Sequence, residues 1–181
     1  SANTVSIDGI EWYVLAQENN QALLYSKDIL EERQFHDSSA DYTWSVSNLR
    51  TYLNGTWLSA KSTLSQKAVS TTINTRSTYN GSNFTTTTDK VFLLSEADLY
   101  GTQSTGVTET ITADARDYTL GVEGIIVPTW MRTVEDATHT SGYYWLRNPV
   151  KVQYAVGGVN WTDGLMYAPN AYNGTVAGVR P

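Results

Sequence analysis

The apolar residues of this chain come in short runs bounded by turn formers, a pattern that favours short strands over long helices. Ile10 to Leu15 and Ala22 to Tyr25 are two such runs, separated by the polar cluster Gln17-Glu18-Asn19-Asn20, and together they predict an N-terminal β-hairpin. Leu49, Tyr52, Leu53 and Trp57 instead fall at helical spacing, so a helix is expected over Ser47 to Leu58 with Ser45 or Ser47 as its N-cap. A second short helix is expected over Ser65 to Val69. The Thr-, Asn- and Ser-rich stretch from Thr71 to Thr88 reads as loop with at most one strand. Asp89 to Ser95 then reads as a buried strand, Glu96 to Tyr100 as a helical turn, and Tyr143 to Leu146 as a strand. Beyond it the chain alternates at Val150, Val152, Tyr154 and Val156, turns at Thr162-Asp163-Gly164 and returns through Leu165 to Ala168. The sum is an α+β domain: a small, twisted antiparallel sheet with one or two helices and long irregular loops.

At 181 residues and 40% hydrophobic content, with no linker-like tract, the chain reads as a single domain over residues 1–181. Its net charge of -6, with 12 scattered Lys and Arg, argues against nucleic acid as a partner. The absence of cysteine removes disulfides, thiolate metal sites and thiol nucleophiles together. No apolar run approaches the roughly 18 residues that span a bilayer, so direct membrane insertion is not expected. Ser1-Ala2-Asn3 lacks the charged and apolar regions of a signal peptide, so the start reads as a boundary cut rather than a natural terminus.

No set of residues here carries a reaction. Paired acids occur at Glu31-Glu32, Glu96/Asp98, Asp114/Asp117 and Glu135-Asp136, but proximity in sequence does not place carboxylates for hydrolysis. His36 and His139 stand outside any H-E-x-x-H pair, and there is no G-x-S-x-G elbow. Gly101 and Gly106 have the spacing of a phosphate loop, but Val107 follows where lysine is needed. No catalytic residue and no cofactor is assigned. Asn160, Asp163, Asn170 and Asn173 are oxygen donors without the dense carboxylate set of a calcium loop, and no metal site is predicted.

The segment from Tyr143 to Pro181 is rich in Tyr, Asn, Gly, Trp and Asp, the composition of a recognition surface. Trp12, Trp44, Trp57 and Trp145 are expected to pack in the core. Trp161, flanked by turn residues, is divided between core and surface, whereas Tyr167 and Tyr172 lie beside the loop markers Pro169-Asn170-Ala171 and Asn173-Gly174 and are expected at the surface.

Six segments in order carry a resemblance: Trp12-Tyr13-Val14-Leu15, Ala22-Leu23-Leu24-Tyr25-Ser26, Leu49-Arg50-Thr51-Tyr52-Leu53-Asn54, Lys90-Val91-Phe92-Leu93-Leu94-Ser95, Trp145-Leu146-Arg147-Asn148-Pro149 and Gly178-Val179-Arg180-Pro181. The series resembles a bacterial and phage family on a branch of the C-type lectin fold, related to formylglycine-generating-enzyme-like domains, that includes variable proteins of diversity-generating retroelements. The resemblance implies that the first hairpin and the last strand through Val179 pair and bring the termini together. It also implies a variable region at about 148–177, with ligand contacts at Tyr154, Asn160, Trp161, Thr162, Asp163, Leu165, Tyr167, Asn170, Tyr172 and Asn173. Arg147 and Arg180 are expected as scaffold charges paired to buried carboxylates or carbonyls. The oxidase chemistry of the formylglycine-generating relatives depends on cysteine and does not transfer.

In diversified members adenines of a template repeat are scrambled, so Asn codons become many residue types. Trp161, Met166, Lys151 and Gln153 cannot arise from an Asn codon altered only at its adenines and need other template codons. The expected function is recognition of a protein or carbohydrate ligand on another cell or surface, from a bacterial surface, secreted or phage-particle location. The other reading is a non-diversified structural or assembly domain of a larger surface protein, with the aromatic face buried against a neighbouring subunit.

Overall fold

In the computed structural model, residues 3–104, 110–135, 138–151, 154–172 and 174–181 are described. The chain opens with a three-stranded antiparallel sheet, β1 (Thr4–Ile7), β2 (Ile10–Glu18) and β3 (Gln21–Ser26). The expected hairpin is β2–β3. Its two-residue turn is Asn19-Asn20, with φ of 51° and 61°, the left-handed geometry that matches strand twist and that Asn tolerates.

After β4 (Glu31–Gln34), a short 3-10 turn leads into α1 (Asn48–Tyr52). The Ser47 hydroxyl accepts from the Arg50 amide, the N-cap that the sequence predicts. The helix then widens through Leu53–Trp57, where the Leu58 amide reaches back to the Leu53 carbonyl. Its Leu49, Leu53 and Trp57 are all buried. A short α2 (Leu64–Lys67) follows.

Two expectations are corrected in the middle of the chain. The Thr-rich stretch forms a hairpin of β5 (Thr71–Arg76) and β6 (Phe84–Asp89). Conversely, the apolar segment after Asp89 is buried at Val91, Leu93 and Leu94 but forms no strand. Backbone groups of the segment find partners other than a strand ladder: Asn54 Oδ1 accepts from the Lys90 and Val91 amides, and the Leu94 carbonyl accepts from the Arg147 amide. Then come α3 (Glu96–Tyr100), closed by Gly101 at φ 76°, the short strands β7 (Gln103–Ser104) and β8 (Thr110–Ile111), and α4 (Thr129–Arg132).

The last quarter supplies β9 (Tyr143–Pro149), β10 (Val156–Asn160), β11 (Met166–Tyr167) and β12 (Val176–Val179). They join β4 in a five-stranded sheet of order β11-β10-β9-β12-β4. The architecture is α+β, with short helices and small sheets. The main sheet is mixed rather than purely antiparallel, because β12 runs parallel to β9. β12 takes β4, not the first hairpin, as its antiparallel partner. The hairpin is tied to the chain's end by the Ser26 amide, which donates to the Pro181 carbonyl at 2.8 Å, and by Arg180 Nε, which donates to the Ser26 carbonyl at 2.9 Å.

Alternation along β9 divides the interior in two. Trp145 packs with Phe35, Trp44, Leu53 and Val179 in one core, while Tyr144 and Leu146 pack with Ile29, Leu99 and Val159 in the other. Trp12, Trp44, Trp57 and Trp145 are all buried, as expected.

Candidate functional site

The C-terminal segment stands on two buried arginines. Arg147 donates to Asp98 Oδ2, to the carbonyls of Leu93 and Asp117 and to the Thr119 hydroxyl. Asp98 also accepts from the Ser95 and Thr119 amides, so one carboxylate joins α3, the 117–119 segment and β9. Arg180 donates to the Ser26 and Lys27 carbonyls and lies 4.2 Å from the Tyr25 ring centroid. Both arginines therefore hold the roles expected of them. Burial raises the Tyr25 hydroxyl pKa well above its ordinary value, against the opposing pull of Arg180.

From this base β10 and β11 carry the turn at residues 161–164. The Tyr100 hydroxyl donates to the Gly164 carbonyl at 2.7 Å, and the Val134 amide to the Trp161 carbonyl at 2.9 Å. Gly164 has φ 71°, and a Cβ there would lie 3.3 Å from Arg132 Cβ, so the turn is pressed against α4.

Leu165 and Tyr167 project from this support, 60% and 48% exposed, and Thr162 and Asp163 are exposed beside them. The Tyr167 ring stacks on Tyr143 at 6.2 Å and 16° between planes. A second aromatic group forms where Tyr154 meets Tyr172 edge to face at 5.0 Å and Tyr42 at 6.0 Å. Tyr154 is held at φ 63°, its carbonyl accepting from the Ala171 amide. Tyr167 pairs with Gly158 and Asn170 with Ala155 on the same strand edge, three residues or about 10 Å apart. Asn173 lies outside the described residues.

Three polar candidates shape the loops. Asn160, Asp163 and Asn170 each accept, through a side-chain oxygen, from the amide two residues on, at Thr162, Leu165 and Tyr172. One oxygen of each is thus spent on an Asx turn. Among the described residues no group of three or more His, Asp or Glu is placed to hold a metal ion.

Trp161 is buried, with 8% exposure, and belongs to the second core with Val159 and Leu146. Trp161 directly follows the last residue of β10, two positions after Val159, and packs into the same core as Val159. The exposed tryptophan is Trp130, at 55%, on α4 and in edge contact with Tyr13. The sequence offered no signal for Trp130, nor for Tyr42, which meets Tyr154 only through the tertiary fold.

Among the described residues no helix is long and apolar enough to cross a membrane. No curated protein and no solved structure matches the chain. A domain of unknown function, DUF6273, matches residues 19–181, from the first turn residue of the β2–β3 hairpin to Pro181. The chain belongs to the DUF6273 family.

Proposed function

We propose that this domain is a ligand-recognition module on a C-type lectin-like scaffold, whose C-terminal surface binds a protein or glycan ligand and is diversified at the level of its codons. The observation that carries the reading is the contrast within one segment: Leu165 and Tyr167 are exposed while Trp161, Val159 and Gly164 beside them are buried. A rigid support presenting aromatic and aliphatic side chains next to Asx-shaped polar turns suits recognition, because the anchors lose little conformational freedom on binding. Tyr167, Tyr172 and Tyr154 supply the aromatic anchors, and Thr162, Asp163, Asn160 and Asn170 the polar rim. The lectin-like element of the reading rests on the sequence resemblance, and is supported by the position of β12 between β9 and β4 and by long irregular connections between short elements.

An assembly role is the second reading. Leu120, Val122, Ile126 and Trp130 are exposed at 47%, 62%, 49% and 55% within one short segment outside the variable region, as a subunit contact would require. Codon variation across the source population separates the two. Adenine-linked replacements concentrated between residues 148 and 177 support diversified recognition, and a uniform low rate across the chain removes diversification from the proposal. Solution mass then decides for or against assembly.

A further inference from the structure

A pocket also lies outside the surface formed by residues 154–172. A cavity of about 380 Å³ opens between the β2–β3 hairpin, α2 and the segment around Val91. Its walls include Trp12 and Leu24 from the hairpin, Trp57 from the helix that follows α1, and Phe92. Lys67 and Lys90 also line it, both exposed, and no aspartate or glutamate does. Neither lysine is within ion-pair distance of a carboxylate among the described residues.

The geometry points to a binding site for a small amphipathic anion, a medium-chain carboxylate with its apolar chain against Trp12, Leu24, Trp57 and Phe92 and its headgroup at Lys67 and Lys90. The volume falls in the range of small-molecule pockets, roughly 300 to 1,000 Å³, which are mostly apolar with a few placed polar groups. Two uncompensated cations on a chain of net charge -6 are a local reversal of sign, and select for an anionic headgroup over a neutral or cationic one. The walls are fixed independently of any ligand. Asp8 accepts from the Ser62 hydroxyl and the Thr63 and Leu64 amides, tying the β1–β2 turn to the start of α2, and Asn54 Oδ1 holds the Lys90 and Val91 amides.

Trp12 and Trp57 make the site its own reporter. Titration of the native chain with monomeric decanoate is expected to shift tryptophan emission saturably, with decanol and decyltrimethylammonium binding more weakly. The Lys67→Gln/Lys90→Gln variant changes only exposed side chains. It is expected to keep the native thermal midpoint and to bind decanoate about tenfold or more weakly, the loss of a charge-assisted contact. Leu24→Phe, which fills the cavity, is expected to reduce decanoate and decanol binding together. No saturable shift, equal binding of the cationic amphiphile, or unchanged decanoate affinity in the lysine variant would each overturn the assignment.

Discussion

Arg147 and Asp98 form an ion pair of 3.0 Å in which neither side chain retains any exposure to solvent. The pair lies between α3 and β9, directly beneath the strand from which the C-terminal segment departs. Asp98→Ala leaves the guanidinium buried without its counter-charge and strips the acceptor from the Ser95 and Thr119 amides. A loss of about 3 to 5 kcal/mol is expected, read by denaturant unfolding.

The buried and exposed faces of the 159–167 segment predict opposite mutational outcomes. Trp161→Ala is expected to cost about 3 to 5 kcal/mol, the range for truncating a large core side chain. Leu165→Ser is expected to stay within about 0.5 kcal/mol of the native stability. Tyr167→Ser sacrifices the stack on Tyr143 and is expected to cost about 1 kcal/mol. Thermal and denaturant unfolding of the three variants checks the order.

Gly158 controls the seating of the loop at residues 168–172. A Cβ at this position would lie 2.7 Å from Pro169 Cγ and 3.3 Å from the Tyr144 carbonyl oxygen. Gly158→Ala is therefore expected to displace Pro169 and to cost about 1 to 3 kcal/mol by overpacking. The Tyr154–Tyr172 contact should loosen with it, visible as altered tyrosine ring shifts by NMR.

Asp8 predicts an acid-dependent loss of stability. Amide donation from Leu64, aided by Thr63 and Ser62 and opposed by desolvation, lowers its pKa from the ordinary 3.8 to about 2. A depressed folded pKa means that the stabilisation is complete above the unfolded value of 3.8, falls as pH drops below it, and is gone once pH has passed through about 2. Asp8→Asn keeps a side chain that tolerates φ 53° while removing the charge. The stability difference between native and Asp8→Asn chains is expected to be constant at neutral pH and to shrink across that acid window. A difference independent of pH down to 2 contradicts the assignment.

Local signals in the sequence were legible where one element satisfies them alone. The first hairpin follows from Asn19-Asn20 between apolar runs, and the helix after Ser47 from Leu49, Leu53 and Trp57 four residues apart. The β5–β6 hairpin was hidden because its strands alternate with Thr, whose branched side chain suits a strand while its hydroxyl reads as loop; Thr75 and Thr87 are buried. Val91 to Leu94 misled in the other direction, since burial of that run is achieved with Asn54 and Arg147 as partners instead of a ladder. Trp161 was balanced by its turn neighbours, yet its two-residue offset from Val159 carried the answer. The joining of β12 to β9 and β4 depends on pairings distant in sequence, and no local pattern announced it.

Binding by the native chain and by a Leu165→Ser/Tyr167→Ser/Tyr172→Ser variant, compared on arrays of glycans and of bacterial surface proteins, tests the recognition claim most directly. The variant alters the exposed Leu165 and Tyr167 and the half-buried Tyr172, and circular dichroism with a thermal melt verifies its fold. Recognition through the C-terminal surface predicts a ligand bound by the native chain and lost in the folded variant. Equal binding by both chains would place recognition elsewhere on the molecule and contradict the proposed role of this surface.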